Sequence, residues 1–410
     1  MVKEAQESKS KTQDLTNRAA KWLFYLALAA GFLTLFIWLL LGYSFDVALQ
    51  RMVTVMVITC PHALGLAAPL VVAVSTAISA KHGLLIRNRA NFEEARRLNA
   101  VVFDKTGTLT KGEFGVTDIM PSEGCSKEDI LYYAASLEQQ SEHPLAAGIV
   151  NDAKEKGVTL GKIEEFQSIT GKGIEGKVDG HKINAVSPGY VKSQKLTYDQ
   201  DLFNKMSEEG KTVIFVLMND TLIGMIALAD MIRETAKEAV AILKEKEEIH
   251  SIMLTGDNEK VANWVAKQLG IDEVYAEVLP DDKANQVKKI QEKGWKVAMT
   301  GDGVNDAPAL ATADLGVAIG AGTDVAMETA DVVLVKSNPN DVVSLMDLSK
   351  KTYRKMVQNL WWATGYNIVA IPLAAGVLAP IGLVLSPAVG AVLMSLSTVI
   401  VAINAQLLKA

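Results

Sequence analysis

A short hydrophobic run that ends in an aspartate constrains the fold of this chain more than any other feature. The run is Val101, Val102 and Phe103, and Asp104 follows it at the start of the loop 104–110. In an open α/β sheet, the carboxyl ends of the strands face the crevice in which ligands bind. An aspartate in that position can accept a phosphoryl group covalently. The sequence therefore predicts Asp104 as a nucleophile, and the alternative is an aspartate that only caps a turn.

Three later segments supply the other groups that phosphoryl transfer needs. Two of them, 251–257 and 297–303, are again short hydrophobic runs that end in Gly and Asp, and 279–283 lies between them. The transferred group is negatively charged, so its transfer depends on positioning and on neutralisation of charge. Thr255 offers a hydroxyl and Lys283 an ammonium group for this purpose.

The same segments predict a magnesium site. Mg²⁺ prefers oxygen ligands and usually keeps several waters, which suits a group of carboxylates. Asp104 and Asp302, with Asp306 behind them, are the predicted carboxylate ligands. Asn305 would add a hydrogen-bond donor to the phosphate.

Taken together, these segments resemble the phosphorylation domain of a P-type ATPase. The matching residues are 104–110, 255–257, Lys283 and 301–308, and the resemblance covers nearly the whole chain. It implies an α/β haloacid-dehalogenase-like Rossmann domain with an inserted α+β nucleotide-binding domain, flanked by transmembrane helices. The residues to which it assigns catalytic roles are Asp104, Lys105, Thr106, Thr255, Gly256, Asp257, Lys283 and Asn305. The residues to which it assigns Mg²⁺ are Asp104, Thr106, Asp302 and Asp306.

Position 106 distinguishes a pump from a phosphatase of the same superfamily. Those phosphatases typically carry a second Asp two residues after the nucleophile, which serves as general acid and then as base. Here that position is Thr106. We therefore expect an aspartyl-phosphate that persists, and a membrane-tethered phosphatase is the less favoured alternative.

Hydrophobic residues are concentrated near the two ends of the chain and predict four membrane spans. Of the 410 residues, 49% are hydrophobic. The stretches are too long for a signal peptide and long enough to cross a bilayer. The predicted spans are at about 22–42, 48–80, 356–378 and 385–408.

The distribution of basic residues predicts the orientation in the membrane. Lys and Arg cluster at 18–21, 81–89 and 350–355, while the short loops near Asp46 and Pro380 carry few. By the positive-inside rule, both termini and the large middle segment are cytoplasmic. We therefore expect a multi-pass integral protein of the cell membrane, in contact with lipid. The net charge of −6 gives no reason to expect a nucleic-acid partner.

The order of the motifs predicts the domain boundaries. The nucleophile strand comes first, an insertion follows, and the Rossmann strands resume after 222–228. A helix in the insertion is predicted from Ser126, an N-cap three residues before Asp129, and from the apolar pattern through 131–137. The predicted parts are a terminal segment with two spans (1–88), the phosphorylation domain (89–113 and 220–340), the nucleotide-binding domain (114–219) and two further spans (341–410).

Within the insertion, a His-Pro pair and a Gly-x-Gly are weak signals alone, and each is typical of a surface turn. They resemble the nucleotide-binding domain of the heavy-metal branch of P-type ATPases. That resemblance implies that Glu138 and His143 hold the adenine end of ATP and that Gly171 and Gly173 let the backbone approach it.

Cys60, Pro61 and His62 lie inside a predicted span. Ionisable groups in a span are costly and therefore indicate a functional site. Pro61 opens the helix backbone locally, so side chains on either side of it can converge on an ion. A thiol beside an imidazole suits copper, silver or zinc and suits calcium or magnesium poorly. The alternative is a buried Cys and His at a proline kink.

The last two predicted spans add further candidate ligands. Met394 offers a thioether, although a Met in a membrane helix is ordinarily packing. With Tyr366, Asn367 and Ser395, it resembles the CopB-like copper-transporting subgroup that carries Cys-Pro-His. The resemblance implies that Cys60, His62 and these four residues bind a transported copper ion, with copper(I), copper(II) and silver all left open.

One departure from the family qualifies the expected activity. A complete pump has an actuator domain with a Thr-Gly-Glu loop, and no Thr-Gly-Glu occurs in this sequence. The chain therefore resembles the carboxyl-terminal half of an ATP-driven copper exporter, for which a separate amino-terminal half would be a partner. We expect phosphorylation with slow turnover by the chain alone. A non-catalytic, copper-binding regulatory half is the remaining alternative.

Overall fold

The computed structural model describes residues 11–141, 143–169, 172–245, 247–302, 304–320 and 324–409. Its α-helices are α1 (Lys11–Leu40), α2 (Phe45–Thr59), α3 (His62–Lys81), α4 (Arg89–Glu94), α5 (Lys127–Glu138), α6 (Pro144–Glu155), α7 (Pro188–Ser193), α8 (Gln200–Glu208), α9 (Glu234–Glu245), α10 (Glu259–Leu269), α11 (Lys283–Glu292), α12 (Ala307–Thr312), α13 (Asp324–Thr329), α14 (Asn340–Thr364), α15 (Asn367–Ala375) and α16 (Pro387–Gln406). Its strands are β1 (Leu84–Ile86), β2 (Ala100–Asp104), β3 (Thr110–Pro121), β4 (Ile163–Ile169), β5 (Gly173–Val178), β6 (His181–Val186), β7 (Thr212–Met218), β8 (Thr221–Ile232), β9 (His250–Leu254), β10 (Glu273–Tyr275), β11 (Val297–Gly301), β12 (Leu315–Ile319) and β13 (Val332–Leu334).

A seven-stranded sheet forms the first of two folded units between the hydrophobic terminal helices. Its strand order is β1-β13-β12-β11-β2-β9-β10, and every pair is parallel except β1 with β13. The strand β2 is buried along its whole length, because hydrophobic clusters with helices cover both faces of the sheet. Asp104 stands opposite Leu254 at the carboxyl end of this central strand. The predicted Rossmann fold is confirmed.

A six-stranded antiparallel sheet, in the order β3-β8-β7-β6-β5-β4, forms the second unit. Helices α5 and α6 contribute to the hydrophobic cluster on one of its faces. The predicted cap is confirmed, since Ser126 accepts from the Asp129 amide and the Asp129 carboxylate accepts from the Ser126 amide.

The two sheets are joined by a pair of long strands. The strands β3 and β8 lie side by side in the second sheet, and Thr110 pairs with Ile232 at their junction with the first. The predicted insertion, 114–219, begins within β3 and ends just before β8. The second sheet thus extends beyond both ends of that segment, and the division into domains stays a prediction.

The helices at the two ends of the chain are hydrophobic. Among the described residues, three segments are long and apolar enough to cross a membrane: Asp14–Leu40, Phe45–Lys81 and Pro387–Gln406. The fourth predicted span, at about 356–378, is divided between α14 and α15, which meet at Gly365 and Tyr366.

The second span is broken in its middle. The helix α2 ends at Thr59 and α3 begins at His62, with Cys60 at ψ 123° and Pro61 at ψ 35° between them. Neither residue has helical backbone angles. Pro61 has no amide hydrogen to continue the helical hydrogen bonds, and its ring disfavours helical angles at Cys60. The predicted opening at Pro61 is confirmed.

Candidate active site and membrane ion site

An ammonium group connects two carboxylates at the edge of the first sheet. Lys283 is the first residue of α11, and its Nζ lies 2.5 Å from Oδ1 of Asp104 and 2.7 Å from Oδ1 of Asp306. All three side chains are buried. A charged hydrogen bond in such a place is strong, so Lys283 fixes the position of both carboxylates.

Burial changes the proton affinity of this group. Burial, together with the charge of Asp306, raises the pKa of Asp104 to about 7, although Lys283 opposes the change. Burial alone would lower the pKa of Lys283, but the two carboxylates outweigh it and the pKa lies above its ordinary value. Lys283 is therefore a stable positive charge beside Asp104.

Asp302 completes a group of three carboxylates. One oxygen from each of Asp104, Asp302 and Asp306 lies within 4.8 Å of the others. Burial and the nearby Asp306 raise the pKa of Asp302, as expected for acidic groups held together without sufficient positive charge. Hard divalent cations take oxygen ligands of this kind, so the donor set fits Mg²⁺.

The backbone of the loop after Asp104 is shaped to admit Asp302. Gly107 has φ +73°, and a Cβ built on it would lie 1.7 Å from Oδ2 of Asp302. No other residue type would fit at this position without displacing that carboxylate. The close approach explains why a glycine follows Thr106 in the loop.

Other predicted catalytic residues surround the loop. The Nζ of Lys105 lies 2.5 Å from Oδ2 of Asp257, which joins the loop to the end of β9. Thr255 is buried, and its hydroxyl accepts from the Asp257 amide at 3.2 Å, with Gly256 between them in the turn. This ion pair therefore holds two of the predicted segments together.

Thr106 and Asn305 have exposed side chains at this edge of the sheet. Thr106 follows Lys105 in the loop, and Asn305 lies in the short turn Val304–Asp306. Their exposure leaves both polar groups accessible to a bound ligand.

Asp230 and Arg233, near the carboxyl end of β8, hold the loop from its other side, and sequence reasoning missed them. Asp230 accepts from the hydroxyl of Thr110 at 2.6 Å and from the amide of Gly112 at 3.0 Å. Arg233 donates to the carbonyl of Thr110 at 2.9 Å and to that of Gly107 at 3.2 Å. The available signal was a pair of charged residues at the end of an otherwise hydrophobic strand.

The second sheet carries a cleft of about 390 Å³ between β5, β6, β7 and the helices α5 and α6. Glu138, His143 and Gly173 all line it, so the structure brings these predicted residues together. Gly173 has φ +143°, and a Cβ there would lie 2.1 Å from the carbonyl oxygen of Ala185. The remaining predicted residue, Gly171, lies outside the described residues.

Glu138 is buried at the end of α5. Burial raises the pKa of this carboxyl to about 7, and a hydrogen bond from Ser141 only partly offsets the effect. His143 caps α6, with its Nδ1 accepting from the Leu145 amide at 3.2 Å. The Nε2 side of the imidazole is not used by this cap.

In the membrane part, Cys60 is accessible at the break between α2 and α3, and His62 is the first residue of α3. The hydroxyl of Tyr366 donates to the carbonyl of Ile58 at 3.1 Å, which brings α15 to this break. Asn367 is buried, and among the described residues neither its amide nitrogen nor its oxygen has a partner. A buried amide without partners is costly and suits a ligand position.

The two predicted ligands on α16 differ in exposure. Met394 is half-buried, whereas Ser395 is exposed and donates to the carbonyl of Ala391 at 2.9 Å. Two residues further along, Ser397 is buried and donates to the carbonyl of Trp362 at 3.1 Å.

Comparison with known proteins agrees with this geometry. Residues 98–314 match the family model of the haloacid dehalogenase-like hydrolases. The chain belongs to the haloacid dehalogenase-like hydrolase family. The predicted recognition as part of a heavy-metal P-type ATPase is also confirmed, because the whole chain matches members of that group.

Two curated relatives and one solved structure illustrate the match. The copper-exporting P-type ATPase B of Archaeoglobus fulgidus is 59% identical over 100% of this chain and 59% of its own length. The protein of the same name from Enterococcus hirae is 52% identical over 100% of this chain and 55% of its own length. A zinc-transporting PIB-type ATPase, solved in its E2.Pi state, is 33% identical with a TM-score of 0.83 over 99% of this chain and 66% of that chain.

The chain thus spans more than half, but less than two thirds, of the length of these curated relatives. The predicted fold class is confirmed in its three parts: a Rossmann unit, an α+β insertion and hydrophobic terminal helices. The predicted location is confirmed as well, and the chain is that of an integral membrane protein.

Proposed function

We propose that this chain carries the phosphorylation, nucleotide and ion sites of an ATP-driven copper exporter that works through an aspartyl-phosphate. The single observation that carries the proposal is the buried group of Asp104, Lys283, Asp302 and Asp306 at the carboxyl edge of a Rossmann sheet. It combines a nucleophile, a fixed positive charge and a cation site. As an enzyme, the protein is an ATP hydrolase and translocase.

The chemistry begins with attack of a carboxylate oxygen of Asp104 on the γ-phosphorus of ATP. A bond from Asp104 to phosphorus forms, the bond from phosphorus to the bridging oxygen breaks, and ADP leaves with that electron pair. Lys283 neutralises charge as it develops on the transferred group. Thr255 and Asn305 donate hydrogen bonds to the same group.

Asp104, Thr106, Asp302 and Asp306 would hold Mg²⁺, which when bound supplies positive charge beside the transferred phosphoryl group. The ion pair of Lys105 with Asp257 supports this site by holding the loop closed. Arg233 and Asp230 have the same effect from the second sheet.

The cleft on the second sheet is the proposed site for ATP. Its volume of about 390 Å³ suits a nucleotide base and sugar. Glu138 and His143 would hold the adenine end of ATP. Gly171 and Gly173 would let the protein backbone approach the bound ATP. The phosphorylation domain would comprise 89–113 and 220–340, and the nucleotide-binding domain 114–219.

The ion site would lie at the break between α2 and α3. Cys60 and His62 are its central ligands, and Tyr366, Asn367, Met394 and Ser395 are the others. Support for copper rather than zinc comes from the names of the relatives, since the copper proteins are 52–59% identical and the zinc protein 33%. Soft ligands such as thiol and thioether suit copper and silver.

Acid-stable labelling of the purified chain by γ-labelled ATP and Mg²⁺ tests this proposal. The label should depend on copper or silver and should be absent from Asp104→Asn, which keeps the shape of the side chain but has a poor nucleophile. Copper(I), copper(II), silver and zinc are compared in parallel. Copper binding without any ATP-dependent label would instead favour a regulatory, non-catalytic role.

A further inference from the structure

Arg89 is a fully buried charge outside all the sites described above. Its exposed fraction is 0%, and its guanidinium lies against the ring of Phe92 at 4.7 Å from the ring centre. Burial lowers the pKa of Arg89 to about 10, so the side chain remains charged at neutral pH. Burying an arginine costs free energy that its ion pair rarely recovers in full. Stability alone is therefore a poor reason for its presence.

The partners of Arg89 lie on two different parts of the protein. Its Nη2 donates to the hydroxyl of Ser75 at 2.8 Å, and its Nε lies 3.4 Å from Oε1 of Glu93. Ser75 belongs to α3, the helix that begins at His62, whereas Arg89 and Glu93 belong to α4. The guanidinium thus joins α3, the helix of the proposed ion site, to α4, which packs against the seven-stranded sheet.

The position of α4 in the chain gives this connection its significance. After α4, the chain passes through one short turn, 95–97, and enters β2, which ends at Asp104. Before it, β1 pairs with β13 at the edge of the same sheet. The hydrogen bond between Ser75 and Arg89 therefore connects α3 directly to the segment that leads into β2 and Asp104.

The surroundings of Arg89 are packed rather than loose. The hydroxyl of Ser349 on α14 donates to the carbonyl of Phe92 at 2.7 Å, and Ile78 on α3 packs against the hydrophobic cluster that contains Phe92. A displacement of α3 would therefore be passed to α4 as a unit. Because the break at Cys60 and Pro61 interrupts the helical hydrogen bonds between α2 and α3, α3 can shift relative to α2 when an ion binds there.

We propose that Arg89, through Ser75, is a positioning residue that couples occupation of the Cys60–His62 site to phosphorylation of Asp104. The inference rests on the proposed function and adds to it a specific mechanical connection. Arg89 is not among the residues of the proposed ATP cleft or of the carboxylate group at Asp104. Its fork of donors holds Ser75 and Glu93 in one arrangement, which a lysine at the same position could not reproduce.

The test compares the purified chain with Ser75→Ala, which removes the hydrogen bond alone, and with Arg89→Lys, which keeps the charge. The control is Arg97→Gln, because the Arg97 side chain is 62% exposed and pairs with Glu94 on the surface. For each protein, the label on Asp104 is measured with and without copper, as are the affinity for ATP and the amount of copper bound. Hydrogen exchange of 84–94 is followed with and without copper.

In both test variants, we expect the ratio of label with copper to label without it to fall about fivefold or more. ATP affinity and copper binding should be unchanged, and copper should alter exchange of 84–94 in the parent chain but not in Ser75→Ala. Arg97→Gln should behave like the parent.

An unchanged ratio in both variants would overturn the inference and leave the proposed function intact. Loss of ATP and copper binding by the variants would also overturn it, because Arg89 would then only hold the fold. A parent chain that takes no label would overturn the proposed function, and this inference with it.

Discussion

The Nζ of Lys283 and Oδ1 of Asp104 lie 2.5 Å apart although 179 residues separate them in the chain. This contact places a fixed positive charge at the atom that we propose as nucleophile. Since Asp306 accepts from the same ammonium, the loss of Lys283 would leave two buried carboxylates to repel each other.

Lys283→Met should slow labelling of Asp104 by about 100-fold or more, the usual cost of removing a charge that stabilises a transition state. ATP affinity should remain, because the cleft of Glu138 and His143 is separate. Single-turnover labelling with a titration of ATP measures both quantities. Lys288→Met is the control, since Lys288 is an exposed residue of the same helix. Equal labelling rates in the two variants would contradict a role for Lys283.

Gly107→Ala should raise the Mg²⁺ concentration needed for half-maximal labelling by about tenfold, as expected when a carboxylate near a metal is displaced. The reason is the 1.7 Å approach of Oδ2 of Asp302 to the position of the new Cβ. Gly124→Ala is a matched control, because Gly124 also has a positive φ, of +86°, but apart from its chain neighbours no atom of the described residues lies within 4 Å of its Cβ position. A similar effect in both variants would attribute the result to backbone strain alone.

Thr106→Asp should shorten the lifetime of the label by about 100-fold, because it supplies a general base two residues after the nucleophile. Thr106 is exposed at the loop, so an aspartate there is accessible to water. The decay of acid-stable label after a chase with unlabelled ATP gives the lifetime. Thr106→Asn controls for size and polarity without a base. If the Asp and Asn variants decay alike, Thr106 is not the reason for persistence.

Glu138→Gln should stabilise the chain more at pH 8 than at pH 5. Burial raises the pKa of Glu138 to about 7. Because the folded state favours the protonated form of Glu138, its contribution to stability is fully present below the ordinary pKa of a glutamate. That contribution is lost as the pH rises through 7, where the buried carboxyl must ionise. The gain in the free energy of unfolding from Glu138→Gln should differ between the two pH values by about 3 kcal/mol at most. Thermal unfolding without nucleotide at the two pH values measures it.

Glu123→Gln serves as the control for this substitution, since Glu123 is exposed in the loop before α5. Its effect on the midpoint of unfolding should be small and the same at both pH values. An equal gain at pH 5 and pH 8 for Glu138→Gln would mean that Glu138 is ionised throughout this range.

The sequence was sufficient for the elements whose cause is local. The strand that ends at Asp104 follows from a hydrophobic run that gives way to a turn, and the break at Pro61 follows from the missing amide hydrogen. The helix after Ser126 is predicted by the capping pair of Ser126 and Asp129, three residues apart. Each depends on neighbouring residues alone, so a pattern within the chain is enough to predict it.

Contacts between distant segments were beyond such reasoning. Arg233 donates to the backbone carbonyls of Gly107 and Thr110, and no residue pattern reveals which carbonyl an arginine will reach. The same applies to Arg89 and Ser75. The division of the span at about 356–378 was not predicted either; Gly365 and Tyr366 lie between the two helices, and Pro372 follows within α15.

The paired strands β3 and β8 lead from the sheet that carries the proposed nucleotide cleft to the loop of Asp104. The chain enters the second sheet at the start of β3 and leaves it at the end of β8, where Thr110 pairs with Ile232. A nucleotide held on the second sheet, as we propose, would thus be tethered through these two strands to the loop after Asp104. The effective concentration of that nucleotide at Asp104 would then be set by the geometry of this tether rather than by the amount of ATP in the cell.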